Sequence, residues 1–128
     1  KSVKILQKSN IDYALMHVTS MYPTPYDQVR LNVINELKIK FPDTVIGLSD
    51  HSFGNYTCFA ATAIGASILE KHFTSDKTWP GPDIPISINP EELKDLIIGS
   101  KAIFNSLKGQ KNVFQKRIFG LNDLERDK

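Results

Sequence analysis

Two short apolar runs, each ending in a polar cluster that carries one histidine, constrain this chain more than any other feature. The first is Val45-Ile46-Gly47-Leu48-Ser49-Asp50-His51-Ser52, and the second is Ala66-Ser67-Ile68-Leu69-Glu70-Lys71-His72-Phe73-Thr74. Both runs have strand length, and the stretch between them has the small residues and length of a short helix. A strand, a helix and a second strand joined by short connections fold with a right-handed crossover, which makes the two strands parallel neighbours. In such architectures chemistry is placed at the carboxyl ends of the strands, so His51 and His72 read as members of one site. Two roles stand for them: ligands of a single metal ion, or hydrogen-bonded structural residues at strand ends.

The rest of the chain repeats the pattern. Lys1 to Lys8 resembles the last turns of a helix, closed by Ser9-Asn10. Ile11 to Val18 is a nearly continuous apolar run of the kind a buried parallel strand needs. It ends at Thr19-Ser20, followed by Met21-Tyr22-Pro23-Thr24-Pro25, where two prolines exclude helix and stiffen a loop beyond the strand end. Asp27 is placed to cap a helix that runs to about Lys40 and stops at Pro42. Thr44 to Ser49 is the second strand, Gly54-Asn55 opens the next helix, and Ile68 to Phe73 is the third strand. A long loop, Thr74 to Ser87, carries three prolines and Gly81, and is longer than a simple connection requires. Asn89-Pro90-Glu91-Glu92 is a helix start with a capping residue, a proline at the first helical position and a glutamate three residues after the cap. That helix is expected to reach Gly109, with Gly99 either a weak point or a close packing contact.

The expected fold class is therefore α/β with parallel strands. Three strand–helix units cannot close a barrel, for which eight are usual, and an open three-stranded sheet leaves edges and one face uncovered. Such a chain is either part of a larger barrel or associates to cover those surfaces. Its 128 residues suit one domain. Sixteen basic against fourteen acidic residues give a net charge of +2, which argues against nucleic-acid binding. The single cysteine, Cys58, excludes an internal disulfide and fits a cytoplasmic location. No apolar run approaches the roughly 20 residues that span a bilayer, so no membrane association is expected. The first residue is lysine, as for a chain that begins inside a longer polypeptide.

Four segments, His17-Val18-Thr19-Ser20-Met21-Tyr22-Pro23-Thr24-Pro25, Gly47-Leu48-Ser49-Asp50-His51-Ser52, Glu70-Lys71-His72-Phe73-Thr74 and Gly81-Pro82-Asp83, resemble successive signatures of the N-acetylneuraminate (sialic acid) synthase family, which includes legionaminic and pseudaminic acid synthases. The resemblance implies a partial TIM (β/α)8 barrel: residues 1–108 would be its last three βα units, and residues 109–128 an exit segment or linker. It also implies a transferase that condenses phosphoenolpyruvate with an N-acetylated amino sugar, usually N-acetylmannosamine, to form a nine-carbon sialic acid and release phosphate. His51 and His72 would be the protein ligands of Mn2+ or Mg2+ and the catalytic pair. Ser20 and Ser49 would contact phosphoenolpyruvate, and Tyr22 and Asp83 the amino sugar. Many relatives have asparagine at the position of Ser20 and histidine at that of Ile84; the latter is where a subfamily using a different amino sugar would differ. The family's anion-binding lysines and an acidic residue of its first strand have no counterpart in these 128 residues, so the chain by itself is expected to be inactive and to need the rest of the barrel or a homo-oligomeric partner.

A different class of function remains open: a non-catalytic association module that keeps the family's fold and assembles through its open edges. Chelator-insensitive assembly, indifferent to His51 and His72, would mark that module. A complete nucleotide-binding domain is disfavoured, because there is no G-x-G-x-x-G and no Walker lysine.

Overall fold

The computed structural model of the chain describes residues 2–9 and 11–108. The expected exit segment, 109–128, lies outside the described residues. Four helices, α1 (Ser2–Lys8), α2 (Asn32–Lys40), α3 (Tyr56–Ala63) and α4 (Pro90–Leu107), alternate with three strands, β1 (Ala14–Val18), β2 (Val45–Asp50) and β3 (Ile68–Lys71). The strands form one parallel sheet in the order β1, β2, β3, with Leu15 opposite Ile46 and Leu48 opposite Leu69. No helix among the described residues is long and apolar enough to cross a membrane.

Alternation along the strands sorts the side chains onto two faces. Leu15, Ile46, Leu48 and Leu69 turn toward the helices, where they pack with Val29, Ile34, Cys58, Ala61, Ile88 and Leu96. Ile34 and Leu48 are fully buried there, and burying an aliphatic side chain of that size is worth roughly 1.5–3 kcal/mol. The opposite face carries Val18, Val45 and Ile68, which remain 46%, 47% and 39% exposed. The central strand is the one flanked by strands on both sides, and it is buried from Ile46 to Asp50. Gly47 permits the close approach within it: a Cβ there would lie 2.7 Å from the Ile68 carbonyl oxygen and collide with the Met16 sulfur.

Helix boundaries follow local chemistry, with two departures. Asn89 caps α4 as a full capping box: its Oδ1 accepts from the Glu92 N–H and the Asn89 N–H donates to the Glu92 carboxylate, both at 2.9 Å. Asp27 instead sits in a 3-10 turn (Tyr26–Gln28), and α2 starts at Asn32 without a side-chain cap. Asn55 precedes α3 without capping it; its amide nitrogen donates across to the Glu92 carbonyl and to Asp95 of α4. Gly99 is a packing contact: a Cβ there would stand 2.6 Å from the Phe59 ring, so α3 and α4 touch closely at this point. The long loop after β3 contains a second 3-10 turn (Ile84–Ile86) and returns to the sheet, where Ile88 forms a parallel bridge with Phe73. Its end is thereby fastened to the tip of β3.

Candidate metal and substrate site

The three strand ends bring His51, His72 and Tyr22 together. The imidazole centres of His51 and His72 are 5.2 Å apart, with the rings at 67°. Tyr22 lies over His51 at 4.2 Å and meets His72 edge-on at 5.7 Å. Each residue arrives by a different route. His51 and His72 are the first residues past β2 and β3. Tyr22 comes from the loop after β1, which is pinned where the Thr24 N–H donates to the His51 carbonyl at 2.9 Å and the Thr24 hydroxyl to the Met21 carbonyl at 2.7 Å.

The His51 Nδ1 lies 2.9 Å from the Thr19 carbonyl oxygen. A carbonyl only accepts, so Nδ1 donates, and Nε2 keeps its lone pair for a ligand. A backbone carbonyl on the far nitrogen is a common support of a metal-binding imidazole. His51 is 6% exposed, whereas the His72 side chain is 32% exposed, with its Nδ1 3.7 Å from the Asp83 carboxylate. That separation is too long for a hydrogen bond, so Asp83 acts on His72 as a neighbouring negative charge. Two imidazoles sharing one ion, each nitrogen about 2.1 Å from it, place their ring centres roughly 4.5–5.5 Å apart, and the observed spacing fits that range. Among the described residues no group of three or more His, Cys, Asp or Glu is gathered to hold a metal ion. The site thus gathers two imidazoles at a spacing that one ion could bridge. His17, in contrast, is structural: its Nε2 donates to the Val29 carbonyl at 2.7 Å.

Ser49 and Glu70 lie on the same open face as the histidines. The Ser49 hydroxyl donates to the Glu70 carboxylate at 2.6 Å, which leaves the serine oxygen as an acceptor. Ser20 stands exposed two residues past β1. Asp83 thus stands beside His72, Ser49 lies two residues before His51 on the same face, and Ser20 lies in the loop after β1 that also carries Tyr22. Glu70 was not among the residues singled out from the sequence, although positions 70 and 72, like 49 and 51, share a face by the two-residue period of a strand.

Behind the histidines, on the helix side, lies a buried charge network. The Lys71 ammonium contacts Asp50 at 2.7 Å, with side chains 2% and 1% exposed. It also donates to the Ser52 carbonyl at 2.6 Å. Asp50 further accepts from the Thr57 hydroxyl at 2.7 Å and from the Ser52 N–H at 3.1 Å. Burial by itself would raise the Asp50 pKa; the hydrogen bonds from Lys71 and Thr57, the lysine's charge and the Ser52 N–H outweigh it and hold the carboxyl below its ordinary value. Asp50 and Lys71 also went unrecognised in the sequence, although two charged residues inside apolar strands need a partner. A groove of about 690 Å³ between the ends of α3 and α4 is lined by Leu69, Phe104, Leu107 and Lys101 among others, and contains neither an acid nor an imidazole. The titratable chemistry lies at the opposite end of the sheet.

Comparison with known proteins gives a consistent picture. A family model described as the NeuB family matches residues 1–112. The chain is 38% identical over 104 residues to the N-acetylneuraminate-9-phosphate synthase of Homo sapiens, covering 81% of this chain and 29% of that protein. It is 41% identical over 108 residues to the N,N'-diacetyllegionaminic acid synthase of Campylobacter jejuni, covering 81% of this chain and 32% of that one. Among solved structures, the N-acetylneuraminic acid (sialic acid) synthetase of Leptospira borgpetersenii superposes with a TM-score of 0.87 at 36% identity, covering 98% of this chain and 45% of the other. The chain thus spans less than a third of the length of these two curated relatives.

Proposed function

The chain belongs to the NeuB family, and from that membership we propose that it supplies the metal-bearing last three βα units of a (β/α)8 barrel that makes a nine-carbon sialic acid. In this reading residues 1–108 are barrel and residues 109–128 lead out of it. The other βα units pair with the free edges of β1 and β3, and the exposed Val18, Val45 and Ile68 become barrel interior. The substrates are phosphoenolpyruvate and an open-chain N-acetylated amino sugar, N-acetylmannosamine or a close relative. Carbon 3 of phosphoenolpyruvate forms a bond to the aldehyde carbon, water adds at carbon 2, and the phosphate leaves.

The residues divide the work by chemistry. His51, through its free Nε2, and His72 would hold Mn2+ or Mg2+, with water and substrate oxygens completing the shell. An ion held there would supply Lewis-acid chemistry, polarising the aldehyde oxygen and lowering the cost of generating hydroxide from water. Thr19 keeps His51 in the tautomer that leaves Nε2 free. Ser20 and Ser49 face the phosphoenolpyruvate, with Glu70 orienting the Ser49 hydroxyl. Tyr22 and Asp83 face the amino sugar, Asp83 accepting from its hydroxyls. The observation that carries the proposal is the approach of two imidazoles from adjacent strand ends.

A chimera tests it: this chain replaces the matching segment of the Campylobacter legionaminic acid synthase, and phosphate release from phosphoenolpyruvate is followed with a panel of N-acetylated amino sugars. Turnover with at least one sugar, falling at least about 100-fold in His51→Ala, is expected. A folded chimera that releases no phosphate with any of them would contradict the proposal.

A further inference from the structure

We infer that the buried Asp50–Lys71 ion pair is a positioning device, the clasp that holds the tips of β2 and β3 at the separation that brings His51 and His72 together. The inference deepens the metal-site reading and rests on it for its purpose, but its geometric content is independent of any metal.

Asp50 and Lys71 are Cα partners in the last rung of the β2–β3 ladder, and the two histidines are the next residues on their strands. Past that rung the strands no longer hold each other. His51 is fastened toward β1, by its ring to the Thr19 carbonyl and by its own carbonyl to the Thr24 N–H. His72 is fastened the other way, its carbonyl accepting from the Ile88 N–H at 2.8 Å. The two tips are therefore tied to opposite neighbours. Lys71, the residue before His72, reaches the carboxylate before His51 and the Ser52 carbonyl after it, at 2.7 and 2.6 Å, and so brackets His51 from behind. The Ser49–Glu70 hydrogen bond, one rung lower on the open face, fixes the strands but not their tips.

The energetics point the same way. A buried ion pair gains little over well-packed apolar residues, because both charges lose their hydration, so such a pair is better accounted for by what it positions. Thr57 carries the clasp into the first turn of α3, so the helix start and both strand ends share one network.

The test compares the intact chain with D50N·K71M, which preserves volume and removes both charges, using ring-proton NMR of the histidines. The intact chain should show a cross-ring NOE between His51 and His72, and added Mn2+ should broaden both rings. In D50N·K71M the NOE should be lost while the melting transition is retained, and Mn2+ should bind about 10- to 100-fold more weakly. Lys71→Arg, which retains the charge, should restore the NOE. Should D50N·K71M fail to fold, D50N·K71Q, with a neutral hydrogen-bonding pair on the same rung, takes its place with the same expected loss. A cross-ring NOE unchanged in the folded double variant would overturn the inference. Rings that separate in the variant, but that Mn2+ never broadens in the intact chain, would leave the clasp standing and overturn the metal reading.

Discussion

Single side chains at this site are set by what lies behind them. His51 becomes a ligand candidate through the Thr19 carbonyl, which fixes its tautomer, and His72 through its place one strand over. Cys58 shows the opposite outcome. It is fully buried on α3, and burial together with the negative charge of Asp50 pushes its thiol up to about 12. A thiol held protonated and out of solvent is inert. Ellman's reagent at pH about 8 should label Cys58 only at the rate of global unfolding, and at once in denaturant. Rapid labelling of the native chain would contradict the packing of α3. At this scale the strand-end pattern singled out the two histidines, and the family resemblance pointed to Tyr22 and Asp83. The sequence did not show Glu70, Asp50 or Lys71, because which charges meet depends on strand register, and register is set by tertiary pairing.

At the scale of elements, the strand–helix alternation was legible because each strand is an apolar run and α4 begins with a complete capping signal. Boundaries were less so. Asp27 failed as a cap because the chain tightens into a 3-10 turn first. The β2–β3 pairing also carries a stability signature. Lys71→Met would strand the buried Asp50 carboxylate and should cost about 3–5 kcal/mol in urea unfolding, whereas D50N·K71M should cost much less. The pH dependence follows from the lowered Asp50 pKa. The carboxylate's stabilisation is fully present above the unfolded value of about 3.9 and is lost as pH falls through the lower folded value. The intact chain should therefore lose stability below about pH 4 more steeply than D50N·K71M. Parallel pH profiles for the two would exclude a depressed Asp50.

At the scale of the whole molecule, the described residues form a three-stranded parallel sheet with helices packed on one face, a histidine cluster at the strand tips, and a second, open face that carries Val18, Val45 and Ile68 together with Ser49 and Glu70. That the chain does not close was legible from the unit count. What covers the open face was not, because the apolar pattern of a strand marks a face for burial without specifying the surface that buries it. The central claim is that the strand tips preform half of a metal site. Its most direct test is an electron paramagnetic resonance titration of the chain with Mn2+, following loss of the free-ion signal. One ion per chain should bind, and His51→Ala and His72→Ala should each abolish binding while the melting transition is retained. Binding that survives either substitution, or no binding at millimolar Mn2+ in a folded chain, would contradict a shared site at His51 and His72.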